Sequence, residues 1–180
     1  MDKFFNTAGP MIPEDHYYIP SFQRIDWEEI QHLIDQKRYF LLHAPRQTGK
    51  TSALLEMMSA LNEAGRYSAL YVNIEAAQTA RNDVATGMRT VCNAIASRAN
   101  SYQIAPYLVD IAQEIMHSGD FGNALNALLT QWAEQSEKPV VLFIDEADAL
   151  IGDTLVSLLR QLRSGYDKRP QRFPQSIVLC

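Results

Sequence analysis

Short runs of consecutive apolar residues alternate along this chain with stretches whose apolar residues recur at helical spacing. Four runs have the length of a strand, at 39–43, 70–74, 140–144 and 176–180. Helical stripes lie at 25–34, 50–61, 84–95, 108–115, 121–132 and 155–162. Strands that alternate with helices predict a mostly parallel α/β sheet, and ligands of such sheets bind beyond the carboxyl ends of the strands.

Breaker and cap residues divide this pattern further. The first twenty residues carry Pro10, Pro13 and Pro20, so they predict an extended lead-in that is not a continuous helix. Three successive stripes between the second and third runs predict a helical insert before the strand at 140–144. Asp153 is predicted to cap the helix that follows that strand.

The segment directly after the first predicted strand has the residues of a phosphate-binding loop. Residues 44–51 read A-P-R-Q-T-G-K-T, which matches the pattern G-x-x-x-x-G-K-(S/T) except that Ala44 replaces the first glycine. Lys50 is predicted to reach the β- and γ-phosphates, and the Thr51 hydroxyl to coordinate Mg²⁺. The predicted nucleotide contacts of this segment are Pro45, Arg46, Gln47, Thr48, Gly49, Lys50, Thr51 and Ser52. The alternative is a surface turn that enters a helix, with Lys50 and Thr51 merely solvated.

An acidic pair stands at the end of the third predicted strand. Asp145 and Glu146 follow the buried run at 140–144, where carboxylates are costly unless they face a cation or water. Asp145 is predicted to be a Mg²⁺ partner together with Thr51, and Glu146 to be the base that activates the attacking water. Glu146 and Lys50 are thus the predicted catalytic residues. The alternative is a pair of acids that caps a solvated turn.

The absence of an Asn-Lys-x-Asp string, through which GTPases usually read guanine, favours ATP as the nucleotide. Tyr18 in the lead-in is predicted to pack against the adenine, since aromatic side chains suit the face of a purine. The alternative is that Tyr18 has a plain role in core packing.

Composition limits the other classes of function. Sixteen basic and twenty-one acidic residues give a net charge of −5, which argues against direct nucleic-acid binding by this segment. Cys92 and Cys180 form no C-x-x-C pair, so neither a disulfide framework nor a zinc site is indicated. No signal peptide and no run long enough to cross a bilayer is found, so the sequence predicts a cytoplasmic protein without membrane contact.

The strings at 16–20, 44–51 and 140–148 resemble those of the bacterial AAA-like ATP-binding proteins, a branch of the AAA+ and STAND group of P-loop ATPases. This resemblance implies one P-loop ATPase domain over 1–180, with the lead-in and a helix at 1–38 and the nucleotide-binding core at 39–180. It further implies a sheet of the order 5-1-4-3-2. Because the sequence stops at Cys180, we expect a C-terminally truncated core from which the fifth strand and the sensor residue are missing.

The leading hypothesis is an ATP-hydrolysing, Mg²⁺-dependent switch or motor that releases ADP and phosphate. The resemblance implies that it acts as a homo-oligomer or through an effector domain beyond residue 180. One alternative is a regulatory module that binds nucleotide without hydrolysis, and the presence of Glu146 favours hydrolysis over it. The other alternative is the ATPase subunit of a nucleic-acid-acting system.

Overall fold

The computed structural model of the chain describes residues 3–7, 12, 14–45 and 48–180. A parallel sheet lies at its centre, and the described strands follow the order β1-β4-β3-β2. The strands are β1 (Phe40–Leu41), β2 (Ser68–Asn73), β3 (Val140–Asp145) and β4 (Ser176–Leu179). The predicted α/β class with a parallel sheet is confirmed, while the fifth strand remains a prediction.

Six α-helices surround this sheet in the described part of the chain. They are α1 (Trp27–Asp35), α2 (Lys50–Glu63), α3 (Val84–Ser101), α4 (Leu108–Ser118), α5 (Ala124–Gln135) and α6 (Gly152–Ser164). The helices α3, α4 and α5 all lie between β2 and β3 along the chain, where the sequence predicts a helical insert. No helix of the described ranges combines the length and the hydropathy needed to cross a lipid bilayer.

The helices cover both faces of the sheet, because side chains of a strand alternate between its two faces. One face packs against α1 and α2, and its buried side chains include Ala69, Tyr71, Val141 and Phe143. The other face packs against the insert and α6, and its buried side chains include Leu70, Val72, Leu142 and Ile144. Burial on both faces explains why β3 is an unbroken apolar run up to its last residue, Asp145.

Several predicted boundaries shift by one or two residues, as at β2, which covers Ser68–Asn73 rather than 70–74, and two predictions are wrong in more than that. The first strand covers Phe40–Leu41 rather than 39–43, because β1 pairs only with β4 among the described strands and over a short register. The helix α6 begins at Gly152, so Asp153 lies in its first turn and is not the cap. The Asn82 side chain accepts the N–H of Asp153 at 3.2 Å, so a residue outside the helix supplies a capping bond.

The end of the lead-in lies against α2. Residues 17–20 have no regular structure, as predicted, and a short 3-10 turn, Ser21–Gln23, leads on towards α1. A single parallel bridge joins Phe4 to His16. Pro10 and Pro13, on which part of the prediction rests, lie outside the described residues.

Candidate functional site

The phosphate-loop segment lies between β1 and α2, at the carboxyl end of the sheet. The Lys50 ammonium donates to the Ala44 carbonyl at 3.2 Å, so the lysine folds back over the loop. The Thr48 hydroxyl donates to the Pro45 carbonyl at 2.8 Å. Arg46 and Gln47, which were predicted to contact the nucleotide, lie outside the described residues.

The N-terminus of α2 is open towards this loop. Gly49 occupies the N-cap position with a φ of 79°, a left-handed conformation that glycine adopts without the steric cost of a Cβ. No side chain of the described residues caps the helix there. The first N–H groups of an α-helix have no partner inside the helix, and together with the helix dipole they form an anion site. Lys50, Thr51 and Ser52 all lie in this first turn.

Asp145 and Thr51 meet at the other side of the helix start, although 94 positions separate them in the sequence. The Thr51 hydroxyl donates to Asp145 Oδ2 at 2.8 Å. The Asp145 side chain is 2% exposed, and its Oδ1 accepts the backbone N–H of Glu146 at 3.0 Å. The structure therefore brings together the two side chains predicted to hold Mg²⁺.

Glu146 lies next to this pair in an uncommon backbone conformation. Its φ is 60°, which places a non-glycine residue in the left-handed region. Backbone strain of this kind costs of order 1 kcal/mol and concentrates at functional sites. The half-buried Glu146 carboxylate has no hydrogen bond or ion pair with any described residue, so it is available to a water molecule or ligand.

The residue after β4, Cys180, lies beside the two acids and is hydrogen-bonded to their neighbours in the chain. The Cys180 N–H donates to the Ile144 carbonyl at 2.9 Å, and the Ala147 N–H donates to the Cys180 carbonyl at 2.8 Å. Burial raises the pKa of the Cys180 thiol to about 11, and the charge of the adjacent Asp145 raises it further. The thiol is therefore protonated at neutral pH.

Arg24 is a neighbour of the phosphate loop that the sequence analysis missed. Its Nη1 donates to the Thr48 carbonyl at 2.7 Å, and its Nη2 donates to the Ser21 hydroxyl at 3.3 Å. Both nitrogens lie 3.1 Å from the point that a Cβ would occupy on Gly49. Arg24 has no carboxylate partner within ion-pair distance among the described residues, so its charge is free to act on an anion.

Tyr71 is the second residue that the sequence analysis missed. It lies on β2, and its hydroxyl donates to Asp145 Oδ2 at 3.0 Å, on the oxygen that also accepts from Thr51. Burial raises the pKa of Tyr71, and the Asp145 carboxylate raises it further. The hydroxyl thus remains a donor at neutral pH. The signal available in the sequence was only a tyrosine within a strand, which does not identify the partner across the sheet.

Tyr18, the predicted adenine contact, lies along α2 rather than in the core. Its hydroxyl donates to one oxygen of Glu56, and the Ser21 N–H donates to the other at 3.0 Å. The hydrogen bond to Glu56 raises the pKa of Tyr18, and partial burial adds to this shift. The lead-in is therefore attached to the same helix whose first turn carries Lys50 and Thr51.

The donor set fits Mg²⁺ bound together with phosphates. Mg²⁺ is commonly held by one or two protein oxygens, with waters and substrate phosphates in the remaining positions. Thr51 and the buried Asp145 supply such oxygens next to an open helix N-terminus. Within the described ranges, no cluster of three or more His, Cys, Asp or Glu side chains forms a separate metal site. A self-contained protein cage for a metal is thus not the chemistry of these residues.

An α/β fold with a loop of this sequence between its first strand and the following helix defines a P-loop nucleotide-binding protein. Residues 25–172 match the family model of the AAA ATPase domain, so the chain belongs to the AAA ATPase domain family. A search among curated proteins gave no match. The family confirms the predicted resemblance to AAA-like P-loop ATPases and indicates nucleotide-binding ATPase activity, while the roles of single residues stay predictions.

Proposed function

We propose that this chain is a Mg²⁺-dependent ATPase core that binds ATP at the phosphate loop and hydrolyses it to ADP and phosphate. The observation that carries this proposal is the 2.8 Å hydrogen bond from Thr51 to Asp145. It joins the end of the phosphate-loop motif to the acid at the end of β3. P-loop NTPases use residues at these two places to hold the nucleotide and the metal, which supports the proposal. A solvated turn would leave the two side chains apart.

The first turn of α2 and Lys50 hold the phosphates in this proposal. The open N–H groups and the helix dipole attract the β-phosphate, and Lys50 leaves the Ala44 carbonyl to reach the β- and γ-phosphates. Thr51 and Asp145 hold the cation. Bound Mg²⁺ supplies positive charge that stabilises the charge developing on the phosphate oxygens.

Glu146 is the proposed general base. Its carboxylate orients a water molecule and accepts a proton from it as the water oxygen bonds to the γ-phosphorus. The bond from that phosphorus to the bridging oxygen breaks, so the products are ADP and inorganic phosphate. The left-handed backbone at Glu146 and the lack of a described partner for its carboxylate support this role.

ATP is the proposed nucleotide, and Tyr18 is the proposed contact of its adenine. The lead-in that carries Tyr18 is attached to α2 through Glu56. Arg24, four residues after the lead-in, in turn bonds to Thr48 of the phosphate loop. These two connections support a switch, since a shift of the loop on loss of the γ-phosphate would be felt by the lead-in.

Ligand binding is tested by thermal unfolding with and without ATP and Mg²⁺. We expect the ligand to raise the unfolding temperature, since a ligand that binds only the folded state stabilises it. Lys50→Ala should remove most of this shift. Lys138→Ala, which changes an exposed lysine away from the loop, is the matched control and should keep the shift. Equal shifts in the two variants would remove Lys50 from the site.

Hydrolysis is tested by phosphate release from Glu146→Gln. The amide can hold a water molecule and cannot accept its proton, so ATP binding should persist while hydrolysis is lost. Asp148→Asn changes an exposed acid two positions further along and should keep the wild-type rate. A wild-type rate in Glu146→Gln would show that the base is misassigned. ATP binding without any hydrolysis by the wild type would favour the non-hydrolysing regulatory module.

A further inference from the structure

A tyrosine stands among apolar residues on the face of the sheet that packs against α2. Tyr71 is 2% exposed, and its neighbours on that face include Ala69, Val141 and Phe143. Filling this volume does not require a hydroxyl, and a buried hydroxyl without a partner costs about 1–3 kcal/mol. The hydroxyl of Tyr71 is bonded, and its acceptor is the proposed metal-site acid, Asp145.

The strand register explains how the two side chains meet. In the parallel pair of β2 and β3, Tyr71 lies opposite Phe143, and Asn73 lies opposite Asp145. Tyr71 and Asp145 thus point to the same face, with Tyr71 two positions closer to the start of its strand. A phenol ring is long enough to cover that offset, whereas a serine or threonine at this position would not reach.

The bonds around Asp145 fix the orientation of its carboxylate. Oδ2 accepts from Thr51 at 2.8 Å and from Tyr71 at 3.0 Å, while Oδ1 accepts the N–H of Glu146 at 3.0 Å. Thr51 is itself a proposed metal ligand, so its hydroxyl has to serve two partners when the cation is bound. Tyr71 also holds Oδ2 and is not itself a proposed metal or phosphate ligand. The Cys180 thiol lies beside the same carboxylate.

The ring of Tyr71 is held in place from the helical insert. The Arg98 guanidinium, on α3, lies 5.6 Å from the centroid of the Tyr71 ring and 5.4 Å from that of Tyr102. Cation–π contacts of this kind stabilise a fixed ring position, and here they cover the ring at β2, which has only β3 as a described neighbour. The insert thus contacts the ring whose hydroxyl bonds Asp145.

We propose that Tyr71 is a positioning residue for the magnesium-dependent part of nucleotide binding, because its hydroxyl holds the Asp145 carboxylate in the orientation that receives the cation. This inference rests on the proposed function. Residues that hydrogen-bond a metal ligand orient it, and their loss typically costs 10- to 100-fold in metal affinity or activity. Tyr71 is not among the proposed phosphate contacts, so its effect should be confined to the cation.

The test is Tyr71→Phe, which removes the hydroxyl and keeps the ring. ATP affinity is measured by calorimetry in EDTA, and Mg²⁺ is then titrated at a fixed ATP concentration. We expect the EDTA affinity to stay within about twofold and the Mg²⁺ midpoint to rise about tenfold, the lower end for such residues. Asp145→Asn should itself raise the midpoint, and adding Tyr71→Phe to it should change the midpoint no further.

Tyr67→Phe is the matched control. Tyr67 is also buried, and its hydroxyl also donates to a carboxylate, that of Asp35. It lies directly before the first residue of β2, away from the carboxyl end of the sheet where Asp145 lies. The control should keep the wild-type Mg²⁺ midpoint even if it unfolds at a lower temperature. A wild-type midpoint in Tyr71→Phe, or an equal rise in both variants, would overturn the inference and leave the proposed function standing.

Failure of the proposed metal site and failure of the positioning role of Tyr71 give different results. If wild-type protein binds ATP equally in EDTA and in Mg²⁺, the metal assignment of Thr51 and Asp145 fails, and the role of Tyr71 fails with it. If wild-type binding depends on Mg²⁺ and additivity is found between Tyr71→Phe and Asp145→Asn, only the positioning role is refuted. This double-mutant cycle stays interpretable when single variants lose stability, because it compares the effect of Tyr71→Phe in wild-type protein with its effect in Asp145→Asn.

Discussion

Arg24 should raise the affinity of the phosphate loop for ATP and ADP, although it lies 24 positions before Thr48 in the sequence. Its guanidinium holds the Thr48 carbonyl at 2.7 Å. A carbonyl oxygen carries partial negative charge, so turning it towards the guanidinium keeps it away from the phosphates. The same cation adds positive charge beside an anion site. Arg24→Gln removes the charge and keeps a shorter hydrogen-bonding side chain.

The expected loss is about tenfold in the affinity for ATP and for ADP. A hydrogen bond from a charged group contributes roughly 1.5–3 kcal/mol, and solvent screening at this exposed side chain reduces it to the lower end. About 1.4 kcal/mol corresponds to tenfold in the dissociation constant. Because Arg24 is exposed, the unfolding temperature without nucleotide should change little.

The dissociation constants for ATP and ADP are measured by calorimetric titration at about 0.15 M salt, because this ionic strength screens distant charges. Arg66→Gln is the matched control, because Arg66 is also exposed and donates a hydrogen bond, in its case to Asp35. If Arg24 acts by orienting the Thr48 carbonyl of the loop, Arg24→Gln should lose equal affinity for ATP and for ADP. If Arg24→Gln and Arg66→Gln bind ADP with the same affinity, the reasoning is refuted.

The remaining predictions concern stability and the reactivity of a buried thiol. Asp145→Asn should unfold at no lower temperature than wild type without ligand, because it removes a buried charge, but it should lose stabilisation by ATP with Mg²⁺ in a thermal scan. Gly87→Ala should lower the free energy of unfolding by about 1–3 kcal/mol in urea, because its Cβ would lie 2.3 Å from Thr154 Cγ2, and Thr154→Ala in the same chain should restore most of it. The Cys92 thiol, whose pKa burial raises to about 12, should resist iodoacetamide in folded protein at pH 8, as mapped by mass spectrometry. The unfolded thiol ionises near 9.0 while the folded one keeps its proton, so the contribution of Cys92 to stability should fall as pH rises from there towards 12.

The parts of the fold and site that the sequence predicts are those with local causes. The phosphate-loop segment is contiguous, and its place between a strand and a helix follows from the period of the apolar residues on either side. The acid pair was predictable because Asp145 ends a run buried on both faces. Parallel strands place both segments at the same edge of the sheet, so their proximity follows from fold class.

The parts that the sequence does not predict depend on register and on contacts between distant segments. Tyr71 reaches Asp145 only because β2 and β3 pair with Asn73 opposite Asp145, and a shift of one residue would turn the tyrosine to the other face. Arg24 reaches Thr48 because Glu56 fixes the lead-in on α2. The wrong cap prediction has the same cause, since Asn82 lies far from Asp153 in sequence.

The burial of Asp145 connects the stability of the fold to the proposed chemistry. A carboxylate that is 2% exposed loses most of its hydration, and the donors on Asp145 offset that loss with neutral groups only. A bound cation would supply the positive charge that these neutral donors lack, so cation binding would offset the remaining cost of burying the carboxylate. An amide side chain would keep an acceptor among these donors without burying a charge. The acid is therefore better explained by the ligand it receives than by the stability of the sheet in which it lies.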